Sequence, residues 1–117
     1  MQTIDIKYLN PKKGSKILDL GCGQGRHCFG AYMFVEADVF GFDMSHEDVI
    51  KAKENFKEFD ESSANKSCSF GVTDGRELPF ENNSFDYVIC SEVLEHIIDF
   101  ELVIEEIERI LKPGGIF

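Results

Sequence analysis

The stretch ILDLGCGQG, residues 17–25, predicts a strand that runs directly into a glycine-rich turn. Residues 16–20 form a short, largely apolar run typical of a buried strand, and Arg26 to Met33 can begin a helix. Glycines in the turn allow a tight bend and let a ligand lie against bare backbone. The dinucleotide-binding pattern G-x-G-x-x-G would need a glycine at position 26, where this chain has Arg26.

A carboxylate precedes this turn. Asp19 stands two residues before the first glycine, where it suits the ammonium group of a ligand better than a pyrophosphate. A purely structural turn that Asp19 caps is an alternative when the stretch is taken alone.

Outward from this turn, the chain alternates strand and helix patterns. One helix is predicted to begin at Ser45, which forms a capping pair with Asp48, and another to span Phe100 to Leu111. The run Lys112-Pro113-Gly114-Gly115 is a helix stop signal. Further strands are predicted at residues 39–42, 68–72 and 85–90, and a fifth would begin at 116–117. This order indicates an α/β fold with a mostly parallel sheet, right-handed crossovers and flanking helices.

Three acidic residues fall at the ends of the first three predicted strands. Asp43 lies 18 residues beyond Gly25, where a doubly wound sheet places an acid that accepts hydrogen bonds from both ribose hydroxyls. Its alternative role, capping the next helix, is already filled by Ser45. Asp74, followed by Gly75, ends the third strand in the same way. Since ligands of such sheets bind at the carboxyl ends of the strands, these residues predict a site there.

Composition and charge narrow the range of partners. The 117 residues are enough for one domain, and 43% hydrophobic with 29% charged residues is ordinary for a globular chain. The formal net charge of −10 disfavours a nucleic acid partner, because such binding depends on Lys and Arg neutralising phosphates. This acidic net charge favours a small-molecule or protein partner.

Cysteine spacing and the N-terminus add two expectations. The four cysteines form no C-x-x-C pair, so we expect buried packing and no metal site: Cys22, Cys28, Cys68 and Cys90. The first ten residues lack the pattern of a signal peptide, and no apolar run approaches the ~20 residues that span a membrane. A cytoplasmic protein with no membrane partner is expected.

Four segments together resemble the class I S-adenosylmethionine-dependent methyltransferases, especially the small-molecule type called methyltransferase type 11. They are ILDLGCGQGRH (17–27), GFDMS (41–45), DGRELPFENNSFDYVICSEVLEHI (74–97) and LKPGG (111–115), in the family's order. The resemblance implies a Rossmann-like fold with S-adenosyl-L-methionine as cofactor and a small-molecule methyl acceptor.

The resemblance also implies roles for individual residues. Asp19 and Gly21 would hold the methionine part of the cofactor, in a loop that includes Cys22 and is shaped by Gly23 and Gly25. Asp43 would bind the ribose hydroxyls, and Met44 would pack beside the adenine. Asp74 would accept from the adenine amino group, while Gly75 and Arg76 offer backbone groups. Ser91 would border the methionine end and the reacting methyl group.

The implied reaction is an in-line displacement at the sulfonium methyl group by a nucleophile of the acceptor. The protein positions the reactants and excludes water, and a base serves only to deprotonate the acceptor. Glu92 and His96 are the candidates for such a base. A solvated or helix-capping role is an equal alternative for both.

A complete domain of this family has a seven-stranded sheet of order 3-2-1-4-5-7-6. This chain carries strands one to four and the start of five, so we expect residues 1–117 to be a single S-adenosylmethionine-binding domain truncated at its C-terminus. Strand four would then be an exposed hydrophobic edge, through which two copies could associate.

Three other functions remain open. The first is a module that binds S-adenosylmethionine without turnover. The second is a nicotinamide-dependent oxidoreductase, favoured by Asp43 but opposed by Arg26. The third is a metal-assisted RNA 2′-O-methyltransferase, which residues 92–96, EVLEH, resemble; that family needs another His farther along, and the net charge disfavours RNA.

Overall fold

The computed structural model describes residues 14–34, 37–57, 67–90 and 100–117. Within these ranges the chain forms five strands and three helices. In chain order they are β1 Ser15–Leu20, α1 Arg26–Phe34, β2 Ala37–Asp43, α2 His46–Phe56, β3 Ser67–Val72, β4 Phe85–Cys90, α3 Phe100–Ile110 and β5 Leu111–Ile116. The predicted α/β class is confirmed.

The strands form one parallel sheet in the order β3-β2-β1-β4-β5. β1 lies at the centre, with Asp19 opposite Gly41 of β2 on one side and opposite Ile89 of β4 on the other. Because all five strands run the same way, their carboxyl ends meet at one edge of the sheet. The loops that carry the predicted ligand-binding residues leave from this edge.

One face of the sheet packs against α1, and its core includes Ile17, Val39 and Cys28. An aromatic cluster joins α1 and α2 to β3 on this face: Phe29, Tyr32, Phe56 and Phe70. Gly41 makes this packing possible, because a Cβ there would lie 2.6 Å from Cys28 Sγ and 2.8 Å from a ring carbon of Phe70.

The opposite face packs against α3. Val103, Ile107 and Ile110 are each 0% exposed and follow the helical spacing that the sequence predicts. They pack on Leu18, Leu20 and Val88 of the sheet. A second aromatic cluster completes this core: Phe40, Phe42, Phe80 and Phe85.

The start of α2 is capped as predicted. The Ser45 side chain accepts a hydrogen bond from the backbone N–H of Asp48 at 3.2 Å. In a full capping box the residue at Asp48 would bind back to the Ser45 N–H. Here that N–H donates to Oδ1 of Asp43 at 2.8 Å, which ties the helix to the end of β2. None of the helices in the described ranges is both long and apolar enough to cross a membrane.

The last strand differs from its prediction. β5 begins at Leu111, immediately after α3, and not at Ile116. Pro113 ends the helix but is tolerated in an edge strand, where a missing N–H leaves no ladder bond unmade. Gly114, with φ +82°, accommodates the register shift opposite Phe85–Tyr87.

The predicted exposed edge at strand four is therefore wrong, because β4 pairs with both β1 and β5. The edges of the described sheet are β3 and β5. β5 carries exposed Lys112 and Pro113, residue types that discourage pairing between sheet edges. Self-association through β4 is thus not available to this fold.

Candidate functional site

The glycine-rich turn after β1 is held against the end of β2 by backbone hydrogen bonds. The N–H groups of Gly21 and Cys22 both donate to the carbonyl of Phe42, at 2.7 and 3.1 Å. Gly21, Gly23 and Gly25 all have positive φ, between 55° and 94°, which side-chain-bearing residues rarely adopt. The predicted need for glycine at these positions therefore has a conformational cause.

Asp43 connects this turn to its neighbours. One carboxylate oxygen accepts from the Gly23 N–H at 2.8 Å, and the other accepts from the Ser45 N–H at 2.8 Å. Its backbone carbonyl accepts from Thr73 at 3.0 Å, just beyond β3. A carboxylate has about four acceptor positions, so two described bonds leave acceptor capacity on the same group. This arrangement suits a ligand that brings two hydroxyl donors.

Asp19 lies deeper than the other acids. It is 1% exposed and sits on the α1 face of the sheet, between Gly41 and Ile89 in the strand register. The thiol of Cys28 donates to its Oδ2 at 3.7 Å. Any contact between a ligand and this carboxylate therefore requires neighbouring atoms to move.

The cysteines near Asp19 serve packing. Hydrogen bonds with the thiols of Cys22 and Cys68, together with burial and nearby Asp19, raise the pKa of Cys28 well above its ordinary value. Cys28 consequently stays a neutral thiol that can donate a hydrogen bond. All four cysteines are free; Cys22 and Cys28 lie in the core as predicted, whereas Cys68 and Cys90 are only partly buried.

The third acidic residue heads a compact turn. Asp74 lies two residues beyond the end of β3 rather than at its last position. Its carboxylate accepts from the Arg76 N–H and from the Arg76 guanidinium, both at 2.9 Å. The guanidinium lowers the pKa of Asp74. Gly75, with φ +85°, makes this tight turn possible.

Met44 adds an apolar side chain to the same edge. It follows Asp43 directly and is 57% exposed. Val72, at the end of the neighbouring strand β3, is 46% exposed. Apolar side chains with a few polar groups beside them are typical of small-molecule sites.

Three predicted site residues lie outside the described residues: Ser91, Glu92 and His96. Across the described ranges, no group of three or more His, Cys, Asp or Glu residues is arranged to hold a metal ion. The structure thus brings together the glycine turn, Asp43, Met44 and the Asp74 turn, and leaves the proposed base without a described position.

Sequence reasoning missed the residues that fix the loop between β3 and β4. Pro79 and the pair Asn82-Asn83 predict only a surface loop, yet the ring of Phe80 between them packs on Phe40, Phe42 and Phe85. Glu106 and Arg109 of α3 bind the backbone of the same loop. Their three-residue spacing on a helix was the only available signal, and it is equally typical of a solvated surface pair.

Comparisons with known proteins find similarity to methyltransferases over nearly the whole chain. A family model described as "Methyltransferase domain" matches residues 11–117. An uncharacterized methyltransferase of Schizosaccharomyces pombe is 37% identical over 116 residues, which covers 97% of this chain and 41% of that protein. A demethylmenaquinone methyltransferase of Staphylococcus aureus is 36% identical over 112 residues, covering 94% of this chain and 44% of that protein.

A solved structure matches as well. Phosphoethanolamine N-methyltransferase 2 of Haemonchus contortus, in complex with S-adenosyl-L-methionine, superposes with a TM-score of 0.82 and 33% identity. The match covers 96% of this chain and 26% of that protein. The chain thus spans less than half the length of these relatives.

Proposed function

Because the chain belongs to the class I S-adenosylmethionine-dependent methyltransferase family, we propose that it binds S-adenosyl-L-methionine at the carboxyl edge of its sheet. We further propose that the protein transfers the methyl group of this cofactor to a small-molecule acceptor.

Asp43 is the observation that carries the proposal. Its carboxylate is fixed by two backbone N–H groups at 2.8 Å and retains acceptor positions for the two hydroxyls of a ribose. A fixed acceptor needs no reorganisation when the ligand arrives, which favours binding. The bond to Gly23 also places the bare backbone of the glycine turn next to the sugar.

The other predicted residues take roles along the same edge. In this proposal Met44 packs on the adenine ring, and the Asp74 turn with Gly75 and Arg76 meets the polar edge of that ring. Gly21, Cys22 and Gly25 shape the turn at the methionine end. Asp19 supports this turn from within the core and reaches a ligand ammonium group only after its neighbours move.

The cofactor, when bound, supplies a methyl group already activated by a positive sulfur. The chain's own residues orient the two reactants and shield them from water, which is the main catalytic contribution expected of such a protein. The formal net charge of −10 attracts a cationic ligand through the long-range field. In this proposal Ser91 borders the reacting methyl group of the cofactor. Glu92 or His96 is the base that takes the proton from the nucleophile of the methyl acceptor.

The relatives favour a small acceptor. One is named for demethylmenaquinone and another for phosphoethanolamine. These two acceptors, a quinone and a phosphorylated amine, differ in polarity, so they define a class of acceptor and not a particular compound.

Calorimetry with S-adenosylhomocysteine, S-adenosylmethionine and NAD tests cofactor binding by the 117-residue chain. We expect both sulfur nucleosides to bind and NAD to bind far more weakly. Tighter binding of NAD would overturn the proposal in favour of an oxidoreductase. A methyl-transfer assay with small-molecule acceptors then separates an enzyme from a module that binds without turnover.

A magnesium titration of methyl transfer to RNA distinguishes the remaining alternative. Glu92→Ala is the control, because a metal-assisted enzyme would lose its magnesium response in this variant. We expect no magnesium-dependent transfer to RNA in either form.

A further inference from the structure

The connection between β3 and β4, residues 73–84, crosses the α3 face of the sheet without forming a helix. A crossover of this kind must satisfy its backbone N–H and C=O groups by other means. Three residues of α3, spaced three apart and therefore on one side of the helix, follow its course: Val103, Glu106 and Arg109.

The contacts run in the same order along both segments. Val103 packs on Gly75, since a Cβ at Gly75 would lie 3.4 Å from its Cγ2. Glu106 Oε1 accepts from the Leu78 N–H at 2.7 Å. Arg109 donates to the Leu78 carbonyl at 3.0 Å and to the Phe80 carbonyl at 2.7 Å.

Glu106 and Arg109 also fix each other. Two guanidinium nitrogens of Arg109 donate to the Glu106 carboxylate, at 2.6 and 3.0 Å. The side chains are only 17% and 32% exposed, and the guanidinium lowers the pKa of Glu106. A two-point contact of this kind holds both groups in one geometry. The pair is therefore a rigid anchor for the crossover.

The turn at residues 73–77 is hydrogen-bonded within itself, so its position depends on its two ends and on the packing of Gly75 against Val103. Thr73 accepts from the Gly75 N–H and donates to the Glu77 carbonyl, while Asp74 binds Arg76. At its upstream end Thr73 is tied to Asp43, and at its downstream end Leu78 is tied to Glu106 and Arg109. Releasing the downstream end would let the turn shift as a unit.

We propose that Glu106 and Arg109 are positioning residues that set where the Asp74–Arg76 turn meets the adenine of the cofactor. This inference rests on the proposed function and extends it to residues of α3 that do not touch the ligand. It makes selectivity for adenine depend on the Glu106–Arg109 ion pair, which binds the downstream end of the turn at Leu78.

The test compares S-adenosylhomocysteine with its inosine analogue, in which a 6-oxo group replaces the adenine amino group. The adenine amino group can donate to the Asp74 carboxylate and the 6-oxo group cannot, so the wild-type chain should prefer the adenine ligand by about tenfold or more. Arg109 reaches Glu106, Leu78 and Phe80 through three different nitrogens, and the ammonium of Arg109→Lys is a single point donor without this fork, so the preference should fall to about threefold or less. Loss of stability alone would weaken both ligands equally.

Two further variants complete the design. Glu106→Gln keeps an acceptor for Leu78 but loses its charge, so its selectivity should lie between those of wild type and Arg109→Lys; it also serves if Arg109→Lys fails to fold. Lys112→Gln is the matched control, since it removes the cation of another ion pair, with Asp86 at 3.4 Å, that involves neither Glu106, Arg109 nor the turn at residues 73–77. Its selectivity should equal that of wild type.

Amide hydrogen exchange of residues 74–78 supplies a readout that needs no ligand. Faster exchange in Arg109→Lys, together with reduced adenine preference, supports the inference. An unchanged preference in the folded Arg109→Lys or Glu106→Gln variant overturns it. Absence of S-adenosylhomocysteine binding by wild type would instead refute the proposed function and the selectivity role with it, while faster exchange would still identify the loop anchor.

Discussion

Replacing Asp43 by alanine should weaken S-adenosylhomocysteine binding by about 30- to 150-fold. The carboxylate would accept from two ribose hydroxyls, and losing hydrogen bonds to a charged group on this scale costs about 2–3 kcal/mol, with tenfold in affinity for every 1.4 kcal/mol. The same substitution removes the bonds to the Gly23 and Ser45 N–H groups. Water can replace the carboxylate as the acceptor for these two N–H groups, so, besides the loss of affinity, we expect the free energy of unfolding to fall by only about 2 kcal/mol.

Asp48→Ala is the matched control. The Asp48 backbone N–H, which alanine retains, makes the capping bond to Ser45. The lost side-chain charge at the helix start is worth about 0.3–1 kcal/mol in stability and should leave binding unchanged. Calorimetry measures the affinities, and urea unfolding measures the stabilities. Equal weakening of binding in both variants would show that Asp43 does not face the nucleoside.

Three further predictions concern the packing around the site. Gly41→Ala should lower the free energy of unfolding, measured in urea, by about 1–3 kcal/mol, because the new Cβ clashes with Cys28 Sγ. Adding Cys28→Ala should recover part of this loss. If the effects of the two substitutions on stability simply add, the clash is not the cause. The pKa of Glu106 is lower in the folded state than the ordinary value for a glutamate, about 4.3, so the free energy of unfolding should fall as the pH drops from about 4.3 through that lower pKa. An equally steep loss of stability in acid in the Glu106→Gln variant would show that Glu106 is not the cause. Phe80→Ala should cost about 3 kcal/mol in the same urea assay, whereas Phe100→Ala, at a side chain that is 50% exposed, should cost about 0.5 kcal/mol or less; equal costs would mean that the loop is not packed.

The fold was predictable where the sequence carries strong local signals. The apolar run before Gly21 and the glycine turn define β1 and its exit, and Ser45 marks the start of α2. The apolar residues at helical spacing in α3, among them Val103, Ile107 and Ile110, identify its buried side, because such residues must face a core. These signals depend on neighbouring residues alone, so no knowledge of the sheet order was needed.

The remaining features depend on contacts between distant residues. Arg109 and the carbonyl of Leu78 are 31 positions apart, and nothing in either segment indicates their bond. The early start of β5 follows from pairing with Phe85 at the start of β4, which overrides the loop preference of Pro113 and its glycines. Asp19 was assigned to the site from its position before Gly21 and from the family resemblance, and neither signal indicated that its side chain would be only 1% exposed beneath α1.

The end of β2 explains why the fold and the proposed site cannot be separated in this chain. Two adjacent residues, Phe42 and Asp43, accept five backbone hydrogen bonds from three segments: the glycine turn, the start of α2 and the turn after β3. In a parallel sheet these segments leave from the same edge, so a single pair of residues can reach all of them. Each bond that positions the ligand-facing backbone is therefore also a bond that holds the connections of β1, β2 and β3 together. A carboxylate at position 43 is thus favoured by the fold itself, and the proposed ligand with two hydroxyl donors would use acceptor positions that the fold has already fixed.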